Sequence, residues 1–415
     1  MRHSHAELVI IGAGQAAVTL AETLRRDGDT RSILIIGEES FPPYQRPPLS
    51  KAYLSGGMPQ ERLWLKPVDW YARSDIGLMT GARVTAIDRG GACVVLQDGQ
   101  TIGYDTLVLA TGSRPRPFPA ALGGALRGVH LIRGIEDIGH LAGALDRARR
   151  IAVIGGGYIG LEAAAVMRKR GLAVTVLEAG PRILARVACD KTADMVRALH
   201  RAQGVELHEG VGVSALLEGA DGALGHVQLD DGRVIAADLA IVGIGALAND
   251  ALARACGLAC REEAGGGVLV DGLCRSSDPR IHAIGDVAAF MLQGQVARLE
   301  SVQNACDQAR ALAQTLAGVE NPYMPVPWFW SDQYDMKLQI AGLNTGADQT
   351  IFRAGKRAGT GSVWYFRKGR FIAIDALSDP RAYMTGKRWL EQGAMLSADR
   401  VADPGCDLLA PAMTA

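Results

Sequence analysis

No stretch of this chain reaches the roughly 18 uncharged apolar residues that a membrane-spanning helix needs, because glycine or charge interrupts every apolar run. There is also no excess of either charge. The 44 lysines and arginines balance 44 aspartates and glutamates, which removes the electrostatic footprint of a general nucleic-acid binder and leaves any partner to be recognised through a local patch. The polar start, Met1 to Glu7, leads into an apolar run of strand length only, Leu8 to Ile11. It lacks the long apolar core of a secretion leader, so a cytoplasmic protein is expected. The seven cysteines (Cys93, Cys189, Cys256, Cys260, Cys274, Cys306 and Cys406) form neither the dense framework of a secreted scaffold nor a paired zinc spacing. They read as reduced core or surface thiols, with no metal site expected.

At 415 residues the chain is long enough for two or three domains with a large buried core. A β-branched run, a glycine-rich turn and an alanine-rich helical stretch occur in that order twice, at Leu8 to Leu24 and at Ile151 to Arg170. Two βαβ units follow. The stretch Arg114 to Gly128, rich in proline, glycine and alanine, suits a connection leaving the first unit for the second. From Val326 the texture changes: Trp328-Phe329-Trp330 is followed by strand-like runs at Lys337 to Leu343 and Ser362 to Phe366. Lys368-Gly369 then turns into Arg370 to Leu377. That segment reads as a smaller α+β domain.

Each glycine turn has a mechanical reading. In Gly12-Ala13-Gly14-Gln15-Ala16-Ala17, Gly12 permits the tight turn and Gly14 lets backbone N–H groups approach a pyrophosphate. The small Ala17 lets helix and strand pack closely, and the helix N-terminus favours the anion. The following strand, Ser32 to Gly37, ends at Glu38, about 20 residues past the turn, where a carboxylate accepts hydrogen bonds from ribose hydroxyls. The second turn, Gly155-Gly156-Gly157-Tyr158-Ile159-Gly160, has the full pattern, and its following strand, Ala173 to Leu177, ends at Glu178. One such pattern is weak evidence; two, each with strand, helix and acid, point to two dinucleotide sites. A carboxylate at the position of Glu178 attracts a 2′-hydroxyl and repels a 2′-phosphate, so NADH is favoured over NADPH. Arg182 and Arg186 lie just downstream and would either soften that exclusion or serve as surface charges.

Further blocks carry a more specific signal: Pro47 to Leu54, Tyr104 to Gly112, Gly155 to Glu162, Ala283-Ile284-Gly285-Asp286, Glu300-Ser301-Val302 and Pro327 to Tyr334. On these the chain resembles the FAD-dependent pyridine nucleotide-disulfide reductase superfamily, and within it the NADH-dependent ferredoxin reductases of bacterial oxygenase systems. The resemblance implies an α/β fold of two Rossmann-like dinucleotide-binding domains, glutathione-reductase-like, plus a small α+β C-terminal domain. Its segments would be residues 1–114 for FAD, 115–246 for NAD, 247–325 completing the FAD domain, and 326–415. It places Asp286 on the ribityl chain of FAD, Lys51 near the reactive ring edge, Ala16, Arg133 and Val302 along the cofactor, and Val84 at the adenine end. From the residues alone, Val84 and Val302 read as ordinary core valines and Arg133 as an exposed charge.

With FAD carrying the electron chemistry, no side-chain nucleophile is required. Lys51 and Glu162, expected from different nucleotide domains, would pair beside the flavin ring; the competing reading is an exposed lysine and a surface helix glutamate. Trp330 would cover a face of the flavin, or else belong with Trp328 and Phe329 in ordinary packing. Disulfide reductases of the superfamily place a cysteine pair shortly after the first ribose acid, but Phe41 to Leu54 contains none. Cys256 and Cys260 lack the electropositive or helix-start setting of a reactive dithiol. Electrons would therefore leave for a docked carrier, which the resemblance implies is a 2Fe–2S ferredoxin serving a cytochrome P450 or a ring-hydroxylating dioxygenase. An acidic ferredoxin would meet a basic rim including Arg310. The alternatives are an NADH oxidase or quinone-type reductase, and a redox-responsive NADH-binding interaction protein.

Overall fold

The computed structural model describes residues 4–263, 265–393 and 395–408. They form two compact units. The first comprises the residues up to Arg46 with Met58–Arg114 and Ala246–Pro325; the second comprises Pro47–Gly57, Pro115–Gly245 and the residues from Val326 onward.

In the first unit, parallel strands lie side by side in the order Ile76–Met79, Ile33–Ile36, His5–Ile11, Thr101–Leu109, Ile281–Ala283. The start of Thr101–Leu109 also pairs antiparallel with Cys93–Leu96, which continues to Val84–Asp88. Alternation assigns Leu8 and Ile10 to one face, packed with helices Gln15–Arg26 and Val302–Leu316. Val9 and Ile11 pack on the other face with Val94, Leu107 and Leu258. Covered on both sides, these strands read as unbroken apolar runs.

The second unit repeats this plan. Its parallel sheet runs Glu206–Glu209, Ala173–Glu178, Arg150–Ile154, Leu239–Val242, Val129–His130, and an antiparallel meander follows Val213–Glu218, Leu224–Leu229, Val234–Ala236. From Trp328 an antiparallel five-stranded sheet forms in the order Trp328–Gln333, Met336–Gly342, Arg370–Leu377, Gly361–Arg367, Gln349–Ala354. Lys368 (φ 52°) and Gly369 (φ 74°) make its two-residue hairpin, where both central residues need positive φ. Helix Pro380–Glu391 packs on this sheet through Tyr383 and Trp389. Pro380 suits the first helical position, and Asp379 caps the helix by accepting from the Ala382 N–H. Three of these five strands show as strand-like runs in the sequence; Trp328–Gln333, whose consecutive aromatics show no alternation, and Gln349–Ala354, whose side chains are largely exposed, do not. No helix among the described residues is long and apolar enough to cross a membrane.

Candidate functional site

Both glycine turns sit where a parallel strand meets a helix. Helix Gln15–Arg26 follows strand His5–Ile11, and helix Tyr158–Lys169 follows Arg150–Ile154. Each helix buries a run of small and apolar residues, carries two cations in its last turn, and is followed by a positive-φ glycine, Gly28 or Gly171. The basic last turns favour the negative end of the helix dipole.

The first glycine of each turn is required sterically. Gly12 has φ +107° and a Cβ there would lie 2.2 Å from the Ala110 carbonyl oxygen; Gly155 has φ +106° and a Cβ would lie 2.3 Å from that of Gly243. The second glycine differs, since a Cβ on Gly14 or Gly157 would meet nothing within 4 Å. Both are N-caps without any side-chain hydrogen bond to the helix start, whereas Ser301, Asp379 and Ser397 cap their own helices. Uncapped N–H groups facing open space at the positive end of a helix dipole are what a pyrophosphate needs. The residues therefore fit the two dinucleotides. Gly160 completes the second turn, since a Cβ on it would lie 2.2 Å from the Gly155 carbonyl oxygen. Ala17 is fully buried in the first.

The acids at the neighbouring strand ends differ in setting. Glu178 is half-buried and accepts from the Gly156 N–H and the Gly180 N–H, both at 2.6 Å, so it braces the glycine turn. Glu38 is exposed and lies 3.4 Å from Arg83. Arg182 turns to the Asp190 carboxylate (2.5 Å) and the Ala188 carbonyl (2.7 Å), and Arg186 is exposed.

The first unit holds Gly12, Gly14, Ala16, Glu38, Val84, Asp286 and Val302. Ala16 is buried, and a Cβ on Gly285 would lie 3.3 Å from its own Cβ. Asp286 accepts from Ser113 Oγ at 2.8 Å. Val84 is a buried core valine and Val302 is a half-buried first residue of its helix. Sequence reasoning missed Ser113 and the cluster in which Arg46 reaches Glu39 (2.5 Å) and Tyr44 (2.9 Å). No motif marks these partners; only the adjacency of Glu39 to Glu38 pointed there.

The second unit holds Lys51, Arg133, Gly155, Gly157, Tyr158, Ile159, Gly160, Glu162, Glu178 and Trp330. Arg133 is half-buried rather than an exposed charge, and its backbone N–H donates to Asp137, next to the helix Ile135–Leu145. Tyr158 packs against Phe329 with ring centroids 4.8 Å apart, while Ile159 is exposed. Trp330 is half-buried beside Trp328 and Phe329.

Lys51 and Glu162 come together. Lys51 Nζ lies 2.6 Å from Glu162 Oε2, with Glu162 only 4 % exposed, so neither is the solvated surface charge of the competing reading. Pro47–Gly57 clusters with the second unit, so both members of the pair lie within that compact unit. Ser50 Oγ donates to the same oxygen at 2.7 Å, and Ser331 Oγ donates to Oε1 at 2.6 Å. A buried ion pair is costly unless its remaining lone pairs are satisfied, and these two hydroxyls satisfy them.

The seven cysteines are free thiols. Burial pushes Cys260 up to about 11 and Cys274 up to about 12, and it raises Cys256 as well. A thiol so raised stays protonated and is a poor nucleophile. No group of three or more metal-ligating side chains gathers among the described residues.

Residues 6–309 match the pyridine nucleotide-disulphide oxidoreductase family. The chain belongs to that family. Residues 328–411 match a second model, described as reductase C-terminal, so the oxidoreductase carries both parts. It is similar to the probable ferredoxin reductase of Castellaniella defragrans, 39 % identical over 414 residues, covering 99 % of this chain and 100 % of the relative. Among solved structures, it resembles the reductase of the covalent putidaredoxin reductase–putidaredoxin complex (TM-score 0.92, 37 % identity, 99 % of this chain and 98 % of that one). It also resembles the ferredoxin reductase for the CYP199A2 system from Rhodopseudomonas palustris (TM-score 0.92, 37 % identity, 97 % and 99 %).

Proposed function

We propose that this oxidoreductase is an FAD-dependent NADH:ferredoxin reductase that supplies a 2Fe–2S ferredoxin serving a cytochrome P450 or a ring-hydroxylating dioxygenase. The observation that carries the reading is the pair of dinucleotide cradles in one chain, each with a sterically required first glycine and open space at the second. The ferredoxin assignment draws on the named relatives and on the absence of a reactive dithiol near the first ribose acid.

Residues 1–114 and 247–325 are proposed as the FAD domain, 115–246 as the NAD domain, and 326–415 as the C-terminal domain. Gly12, Gly14, Ala16, Glu38, Val84, Arg133, Asp286, Val302 and Trp330 are proposed to contact FAD. Gly155, Gly157, Tyr158, Ile159, Gly160 and Glu178 are proposed to hold NADH. Glu178 sets the preference for the unphosphorylated ribose, and Arg182, turned to Asp190, is taken out of the way of that exclusion. Bound FAD takes up the two electrons of a hydride and releases them singly. Lys51 is proposed to hold a positive charge at the flavin, with Glu162 keeping its ammonium in place. The protein is proposed to work in the cytoplasm.

Replacing Lys51 with Met is expected to slow flavin reduction by NADH, followed by stopped flow, about tenfold or more. Wild-type rate and flavin potential would remove Lys51 from the site. The whole reading is tested by NADH-driven cytochrome c reduction with and without a panel of 2Fe–2S ferredoxins. Fast oxygen consumption with no stimulation by any of them would favour an NADH oxidase.

A further inference from the structure

Strand Trp328–Gln333 runs along helix Tyr158–Lys169 in matched steps. Two strand residues advance about 6.6 Å and one helical turn about 5.4 Å, so same-face side chains of the strand meet successive turns of the helix. Phe329 meets Tyr158, and Ser331 meets Glu162 one turn on. The next residue on that face, Gln333, extends the contact inward. Its amide nitrogen donates to Ser331 Oγ at 2.9 Å, and its carbonyl oxygen lies 2.9 Å from His200 Nε2.

Ser331, Gln333 and His200 are at most 1 % exposed, and their hydrogen bonds run in one direction. Gln333 offers its amide hydrogens to Ser331, so its oxygen faces His200, whose Nε2 must carry the proton. Burial lowers the pKa of His200 and keeps it neutral; its Nδ1 has no hydrogen-bond partner among the described residues. Ser331, accepting from Gln333, is left with its own hydrogen for Glu162 Oε1. With Oε1 held from this side, Oε2 faces Ser50 and Lys51. A primary amide in the middle accepts on one atom and donates on the other, so the chain is suited to holding an orientation rather than passing a proton.

We infer that Ser331 and Gln333, anchored by His200, are positioning residues: they fix the Glu162 carboxylate in the orientation that holds Lys51, so the C-terminal segment sets the geometry of the Lys51–Glu162 pair. The consequence for turnover rests on the reading that this pair serves the flavin.

The test uses full-length protein carrying Ser331→Ala, Gln333→Met or Glu162→Gln, and the doubles Glu162→Gln/Ser331→Ala and Glu162→Gln/Gln333→Met. Two readouts apply: the limiting rate of flavin reduction by NADH in the FAD-loaded protein, and the acetylation rate of Lys51 in the apoprotein, read by mass spectrometry. Ser331→Ala is expected to slow flavin reduction about three- to tenfold with half-saturating NADH unchanged. It should speed Lys51 acetylation, and neither effect should recur in the Glu162→Gln background. Gln333→Met should act in the same direction, which keeps the proposal testable if one variant folds poorly. Unchanged labelling of Lys51 in both single variants overturns the inference. So does a rate loss that persists undiminished in the Glu162→Gln background, which marks general damage. If Glu162→Gln itself reduces flavin at the wild-type rate, the flavin role of the pair fails. The labelling arm, which needs no flavin, then still decides whether Ser331 and Gln333 position it.

Discussion

Two glutamates of the second unit, sixteen positions apart, show how surroundings set the work of one side chain. Glu162 is enclosed by two hydroxyls and an ammonium, whereas the hydrogen bonds of Glu178 come from the backbone N–H groups of Gly156 and Gly180. Each Glu178 oxygen keeps lone-pair capacity for a further donor, and in the proposed role its negative charge opposes a 2′-phosphate. Glu178→Gln keeps an acceptor for the phosphate turn and removes the charge. It is expected to raise the NADPH-to-NADH ratio of kcat/KM about tenfold, measured by steady-state cytochrome c reduction. Glu178 stands out in the sequence because it ends the strand that follows a glycine turn and its helix. The partners of Glu162 do not, because Ser50 and Ser331 lie 112 and 169 residues away, and a serine carries no periodic or spacing signal.

At the scale of the strand–turn–helix element, the two glycines of a turn answer to different demands, and mutation separates them. Gly12→Ala forces a Cβ to within 2.2 Å of a carbonyl at a φ of +107°. Strain and overlap should destabilise even the apoprotein, by about 1–3 kcal/mol or more, seen as a lower melting temperature. Gly14→Ala meets no protein atom, so the apoprotein should melt near the wild-type temperature while FAD affinity, measured by titration of apoprotein, falls at least about tenfold. Equal losses from the two would contradict the cradle. The C-terminal strand Trp328–Gln333 shows the limit of pattern reading at this scale. Tryptophan and phenylalanine occupy both faces at its start, so the period of two that marks a half-buried strand is absent.

For the molecule as a whole, one contribution to acid sensitivity comes from a buried imidazole. His282 is 5 % exposed in the strand Ile281–Ala283. Burial is the main cause that lowers its pKa to about 4, aided by Arg275 and Arg31 and opposed by a hydrogen bond to the Cys274 backbone. In the unfolded chain it takes a proton near pH 6.5, so below that value the unfolded state binds more protons than the folded one. The stability it supports is intact above pH 6.5 and is lost as pH falls through about 4, by about 3 kcal/mol at most. His282→Gln is therefore expected to lose less of its neutral-pH stability at pH 4.5 than wild type does, read by urea melts at both pH values; parallel losses would assign the acid sensitivity elsewhere. The two glycine turns, with their strands, helices and following acids, can be read from the sequence alone, because these parts lie within a few tens of contiguous residues and act through local sterics and backbone N–H groups. Tertiary packing adds the enclosure of the Lys51–Glu162 pair and the burial that raises the pKa of Cys256, Cys260 and Cys274. Those depend on segments far apart in the chain being packed out of water, and on the hydrogen-bond partners that packing brings to each buried charge.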